Sequence, residues 1–199
     1  MVDVKVEIDE YAAFPTMIYK FKANLGADTH SHMSAYIRAK KDKTQTEDDI
    51  YKLSSFRPLV ETVQHTMVDI LKKLEFEYQK IEITSMWGNI LKVGMAHPPH
   101  THSNNLWSGV YYIESSETSA PIQFFDPRPQ AHLLQPVNNP NWQNSGMIQF
   151  NPDIGTGLIF PSWLLHWVPM TPSDRLSVSW NIILRGSYGS KENYQYAYI

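Results

Sequence analysis

Apolar and polar residues alternate with two different periods along this chain, and the change from one to the other falls near residue 80. Before it, from Pro58 to about Tyr78, Leu59, Val60, Val63, Met67, Ile70, Leu71 and Leu74 recur at helical spacing. Pro58 suits a first turn, so a long helix with one apolar stripe is predicted. A shorter helix is expected over 28–41. An opening strand is expected over 14–21, where Phe14, Ile18, Tyr19 and Phe21 supply aromatic and β-branched side chains. The charged run 40–49 has no apolar period and reads as a solvated loop. After residue 80 short strands are expected over 81–93, 106–113, 121–125, 130–135, 147–151, 157–161 and 176–185, separated by Pro, Asn, Gly and Ser. The turn-forming stretch 138–144 reads as a loop at one mouth of the β part. Helices first and strands afterwards predict an α+β, mainly β protein, a sandwich or small barrel with the long helix packed outside.

The last of these strands carries the most information. Leu176, Val178, Trp180, Ile182 and Leu184 share one parity, while Arg175, Ser177, Ser179 and Asn181 share the other, broken only by Ile183. Strand side chains alternate faces, so an apolar face covers the core and a polar face looks the other way. His166 lies nine residues before Arg175, across a Pro-Ser-Asp turn. A hairpin there would set Arg175 alongside the His166 strand and send both into one cavity.

Composition narrows the chemistry. A length of 199 residues suits a single domain spanning 1–199, with its barrel core over about 81–185. With 42% hydrophobic and 19% charged residues and a formal net charge of -3, no nucleic-acid surface is indicated. No run approaches a membrane span, and the first seven residues lack an apolar signal region, so a cytoplasmic protein is expected. Cysteine is absent, which leaves nitrogen and oxygen to hold any metal.

Of the eight histidines, His100 and His102 sit one residue apart, near Pro98 and Pro99, and point to one face if that segment is extended. His166 offers a third imidazole, and Arg175 follows it. That grouping points to an iron enzyme with an acidic cosubstrate. His30 and His32 have the same spacing but lie in a charged, helical segment with nothing to complete a site. His97 is at an odd offset and would face away from His100 and His102. His65, on the long helix, and His132, on an expected strand without partners, read as structural or exposed.

The segments 106–113, 122–129, 157–166 and 175–181, with Trp107-Ser108-Gly109-Val110-Tyr111-Tyr112, Phe125-Asp126-Pro127-Arg128-Pro129, Phe160-Pro161-Ser162-Trp163 and Arg175-Leu176-Ser177, resemble the successive core strands of iron(II)/2-oxoglutarate-dependent dioxygenases of the prolyl-4-hydroxylase-like superfamily. The branch it resembles is best known from bacteria and their phages. The resemblance covers roughly residues 85–185 and implies a double-stranded β-helix, a jelly-roll, cupin-like barrel with metal at one open end. It implies Fe(II) and 2-oxoglutarate as cofactors, dioxygen as co-reactant, and hydroxylation of an unactivated C–H bond in a peptide or small molecule, prolyl groups being the mildly favoured target. Arg175 and Ser177 match the family's Arg-x-Ser pattern for the far carboxylate of 2-oxoglutarate, and Tyr112 is implied for the same carboxylate. One position departs from the family: His102 stands where a metal-binding Asp or Glu is usual. Same-face spacing favours His100, His102 and His166 as ligands, with Asp126 the alternative third ligand or an acceptor from a ligand imidazole.

Two other readings stand beside this one. Gly94 followed at a distance by His100 and His102 also echoes the first cupin motif, although the downstream Glu of that motif is missing. A barrel used only for binding is the non-enzymatic reading. For substrate contacts the candidates are Trp107, Arg128 and Trp163, with Arg128 equally suited to pairing with Asp126. The Tyr-rich stretch 188–199 fits an edge strand within or between subunits, which leaves the oligomeric state open.

Overall fold

The computed structural model describes residues 5–40, 44–128, 130, 133–134, 136–137, 139–192 and 194–199. In chain order the elements are β1 (Tyr19–Lys22), α1 (Ala27–Arg38), two 3-10 turns (Ile50–Lys52 and Ser54–Phe56), α2 (Arg57–Lys73), β2 (Lys80–Leu91), β3 (His97–His100), β4 (Trp107–Glu114), β5 (Ile122–Phe125), β6 (Met147–Phe150), β7 (Thr156–Pro161), β8 (His166–Val168), β9 (Arg175–Arg185), β10 (Ser187–Tyr188) and β11 (Ala197–Tyr198). Of the strand expected over 130–135, the described residues 130, 133 and 134 are in turns and bends and form no strand, while the rest, His132 included, lie outside the described residues. Among the described residues no helix is long and apolar enough to cross a membrane.

Two antiparallel sheets face each other. The larger runs β1-β7-β4-β9-β2 and the smaller β3-β8-β5-β6, with β10 and β11 forming a separate hairpin. Consecutive strands alternate between the sheets from β2 to β5, the winding of a double-stranded β-helix. The parity read in β9 decides both layers of the core. Leu176, Val178, Trp180, Ile182 and Leu184 pack with Leu59, Val63, Met67 and Leu71 of α2 and with Met33 and Ile37 of α1. Val110, Tyr112, Leu158 and Phe160 fill the space between the sheets with Ile122, Phe124 and Val168.

Gly109 marks where this packing is tightest. A Cβ there would lie 2.4 Å from the Trp180 indole and 2.7 Å from the Leu158 carbonyl, so only glycine lets that indole cross β4.

The long helix ends sooner than its apolar period suggests. Glu75 adopts φ 56, and the Phe76 amide donates to the Leu71 carbonyl, closing a Schellman turn without the usual glycine. The charged segment before α2 also departs from a plain solvated loop. Residues 44–48 run along β2, with Thr46 N–H donating to Gly88 O, Ile90 N–H to Thr44 O and Met86 N–H to Asp48 O.

Candidate active site

The expected hairpin between β8 and β9 does not form. β8 pairs with β3 and β5, while β9 pairs with β2 and β4, so His166 and Arg175 sit in opposite sheets and meet across the barrel interior. The connection between them steps from one sheet to the other, as a jelly-roll requires, and the shared cavity forms by facing rather than by adjacency.

That cavity is lined by His97, His100, His102, His166, Arg175 and Ser177, with Gln45, Trp87, Asn89 and Ser179 on its wall. It measures about 50 Å³. A single water needs roughly 10–15 Å³ of such space, so the cavity has room for about four waters, close to the bulk of a small dicarboxylic acid.

His100, His102 and His166 each offer a ring nitrogen within 4.8 Å of the others, and they are the one such cluster of His, Asp or Glu among the described residues. The Nε2 atoms of His102 and His166 are 3.3 Å apart, and their rings stack within 7° of parallel. His100 Nδ1–H donates to Pro98 O at 2.7 Å and His166 Nδ1–H to Leu164 O at 2.8 Å. Each of those bonds fixes the tautomer and leaves Nε2 as a lone-pair donor aimed at its neighbours. Burial holds His166 down to about 3, with His100, His102 and His97 adding to it against the Leu164 carbonyl. Burial, then the neighbouring His100, brings His102 to about 4. These rings are therefore neutral at physiological pH, the form in which imidazole binds a metal.

Asp126 does not join them. Arg128 grips its carboxylate through Nε to Oδ1 at 3.0 Å and Nη2 to Oδ2 at 2.7 Å. Both residues face a separate groove of about 520 Å³ lined also by Tyr11, Phe14 and Trp142. Local geometry explains this: the Arg128 amide also donates to Asp126 Oδ1, closing an Asx turn that aims the carboxylate back along its own loop.

Arg175 is 5% exposed and donates from Nη1 to Ala120 O at 2.9 Å. Among the described residues it makes no other well-formed side-chain hydrogen bond and has no carboxylate partner. Its guanidinium lies 5.0 Å from the centre of the Tyr112 ring, and the fully buried Tyr112 hydroxyl makes no well-formed hydrogen bond. Burial pushes the Tyr112 hydroxyl up, with the Arg175 cation pulling it the other way. Ser177, also buried, is cross-strand from Tyr112 and Asn89. A buried cation with most of its five N–H donors unused is suited to an anion brought from outside.

The proposed substrate contacts separate. Trp107 shares the parity of Gly109 and Tyr111, so it is 7% exposed in the helix-side core, 5.9 Å from the Tyr19 ring, and cannot reach a ligand in the cavity. Trp163 is 57% exposed on the turn leading into β8. Arg128 pairs with Asp126 in the groove just described. Elsewhere, His30 Nε2 lies 2.8 Å from the Tyr111 hydroxyl under α1, with no metal-holding cluster around it among the described residues.

His97 is the residue that parity reasoning misplaces. His97 pairs with Val168 and His100 with His166, so three steps of β3 oppose two steps of β8. A β-bulge carrying Pro98 and Pro99 absorbs the extra residue and turns His97 to the same side as His100. Gln45, Trp87 and Asn89 were also out of sight. Asn89 Oδ1 accepts from Gln45 Nε2 at 3.0 Å and Trp87 Nε1 at 3.1 Å, and only the pairing of 44–48 with β2 brings Gln45 there.

Among curated proteins no sequence matches the chain. A family model described as "Putative 2OG-Fe(II) oxygenase" matches residues 85–181. Among solved structures, a prolyl-4-hydroxylase from Pseudomonas putida superposes with TM-score 0.61 at 14% identity, over 86% of this chain and 89% of that one. A viral collagen prolyl hydroxylase from Paramecium Bursaria Chlorella virus-1, in complex with 2OG, gives 0.57 at 12%, over 83% and 94%. Iron-bound HygX from Streptomyces hygroscopicus gives 0.59 at 10%, over 85% and 82%. At such identities these likenesses establish a shared fold. The family match takes in His100, His102, His166 and Arg175, so over residues 85–181 the chain is similar to the 2OG-Fe(II) oxygenases.

Proposed function

We propose that this chain is a 2-oxoglutarate- and Fe(II)-dependent oxygenase that hydroxylates an unactivated C–H bond, with His100, His102 and His166 as the iron ligands and Arg175, Ser177 and Tyr112 holding 2-oxoglutarate. The observation that carries the reading is the pairing, in one cavity, of three imidazoles with a buried arginine that has no carboxylate partner among the described residues. His100, His102 and His166 would hold the iron, which when bound would supply the activation of dioxygen. Overall, substrate C–H, dioxygen and 2-oxoglutarate give the alcohol, succinate and carbon dioxide.

The protein's own part is placement. The Pro98 and Leu164 carbonyls hold two imidazoles in the metal-binding tautomer. Arg175 would neutralise the distal carboxylate and so anchor that end of the keto acid. Val110, Ile122, Phe160 and Val168 line the cavity and keep bulk water from it. Because no carboxylate belongs to the histidine cluster, the site would be one unit more positive than the family's usual set, which strengthens its hold on an anionic cosubstrate.

For the substrate we favour a prolyl group in a peptide. Two of the structural relatives are prolyl hydroxylases by name, and the groove beside β5, with Tyr11, Phe14 and Trp142 on its walls, suits an extended chain. Anaerobic titration of the Fe(II)-loaded protein with 2-oxoglutarate should raise a visible charge-transfer band in wild type that is absent in His102→Ala. Succinate release should then respond to a proline-containing peptide and not to the same peptide with alanine. A band with no succinate from any substrate would refute the hydroxylase reading, and an equal response to both peptides would refute the prolyl one.

A further inference from the structure

His97 is a fourth imidazole in the cavity, and the family's ligand pattern gives it no task. The β-bulge at Pro98 and Pro99 is what brings it there, since regular pairing would turn it out of the barrel. It is not a member of the metal-holding cluster, which comprises His100, His102 and His166 alone among the described residues. Its ring makes no hydrogen bond to any described residue, although it lines the same small cavity as Arg175 and Ser177.

It shares that cavity with Arg175, Ser177 and His100. Burial, then the neighbouring Arg175 and His100, bring the His97 ring down to about 4, so it is neutral. A neutral imidazole carries one N–H donor and one lone pair. Facing a buried guanidinium, its useful contribution to an anion is the N–H, because a lone pair turned to the anion would repel it.

We infer that His97 is a further donor to the distal carboxylate of the cosubstrate, working beside Arg175 to position the keto acid. This rests on the cosubstrate site proposed above. Arg175 supplies the charge and His97 an additional directed hydrogen bond from the opposite sheet, so the carboxylate is held from both walls of the barrel. His97 is thus a residue by which this chain distinguishes a dicarboxylic from a monocarboxylic keto acid.

The experiment compares binding of 2-oxoglutarate with binding of 2-oxopentanoate, which has the same chain length and keto-acid end but no distal carboxylate. Both are titrated anaerobically into Fe(II)-loaded wild type, His97→Ala and His97→Gln, with iron content measured separately. A hydrogen bond to a charged group is worth enough that His97→Ala should weaken 2-oxoglutarate about tenfold or more. The same variant should change 2-oxopentanoate by less than about twofold and leave iron content unaltered, and His97→Gln, which keeps an N–H donor, should recover part of the loss. Equal weakening of both keto acids, or loss of iron, would show a structural role and overturn the inference, as would unchanged 2-oxoglutarate affinity. Wild type that binds iron but neither keto acid would instead overturn the cosubstrate reading itself, and this assignment with it.

Discussion

Replacing Arg175 by methionine separates what this residue does for the fold from what it does for a ligand. The side chain is 5% exposed, so its charge has been taken almost wholly out of water, at an effective cost of several kcal/mol. Against that stand the bond to Ala120 O at 2.9 Å, worth about 1.5–3 kcal/mol for a charged donor, and the Tyr112 ring at 5.0 Å, worth about 2 kcal/mol when desolvated. These terms nearly cancel. Methionine fills a similar volume and removes the buried charge but leaves the Ala120 carbonyl unpaired. The unfolding free energy of the ligand-free protein should therefore change by no more than about 1 kcal/mol. Binding is another matter, since removing one partner of a buried charge pair costs about 2–5 kcal/mol, or roughly thirty- to several-thousand-fold in the dissociation constant. In a thermal melt with Fe(II) present, 2-oxoglutarate at a hundred times its dissociation constant should stabilise wild type by about 2.7 kcal/mol. For a chain of this size that is a rise of roughly 5–10 °C. Arg175→Met should melt near the ligand-free wild type and rise by no more than about 2–4 °C at the same concentration. A ligand-free variant destabilised by more than about 3 kcal/mol would mean that Arg175 is a packing residue, and an undiminished rise would mean that the dicarboxylate binds elsewhere.

Other outcomes follow from the same geometry. His102→Ala should lower iron affinity by at least about a hundredfold, measured as iron retained after desalting, while His30→Ala, at the other His-x-His pair, should leave it unchanged. Gly109→Ala should cost about 1–3 kcal/mol in chemical denaturation, because the new methyl meets the Trp180 indole at 2.4 Å and the neighbouring strand's backbone cannot yield. Trp107→Ala should cost about 3–5 kcal/mol without altering 2-oxoglutarate affinity, whereas Trp163→Ala, at an exposed site, should leave stability nearly unaltered. Arg185, by its hydrogen bonds, and then Lys80 hold the Glu82 carboxyl at about 2 against an ordinary 4.5. A depressed carboxylate stabilises the fold above its unfolded pKa and loses that contribution as pH falls toward the folded one. Glu82→Gln should thus be less stable than wild type at pH 7, by about 1 kcal/mol at most for so solvated a pair, with the gap closing between about pH 4.5 and 2.

The parts of this molecule governed by a simple period were legible in the sequence. The parity of β9 assigns Leu176 to Leu184 to the helix layer and Arg175, Ser177 and Ser179 to the interior, as found. The strand-rich half and the double-stranded β-helix followed from turn residues and from the resemblance together. Where the reading failed, a contact between distant segments had replaced a local rule. Parity along Ala96 to His102 assumed an uninterrupted strand, and the bulge broke it at His97. Neighbourhood in sequence suggested a β8–β9 hairpin, whereas the fold sends the two strands to opposite sheets. Aromatic character put Trp107 at the rim, although its own strand's parity, shared with Tyr111, directs it into the core. Gln45 sits in a segment without apolar pattern because its pairing with β2 is made by backbone groups that every residue possesses.

The bulge in β3 also bears on how relatives of this chain should be aligned. Its effect depends on the count of residues between His97 and His100 rather than on their identity. A descendant that replaced either proline could keep all four imidazoles inside the barrel, while one that lost a single residue would restore even pairing and turn the upstream ring outward. In this stretch it is length rather than residue identity that decides which side His97 faces, so a one-residue deletion there would change the lining of the cavity.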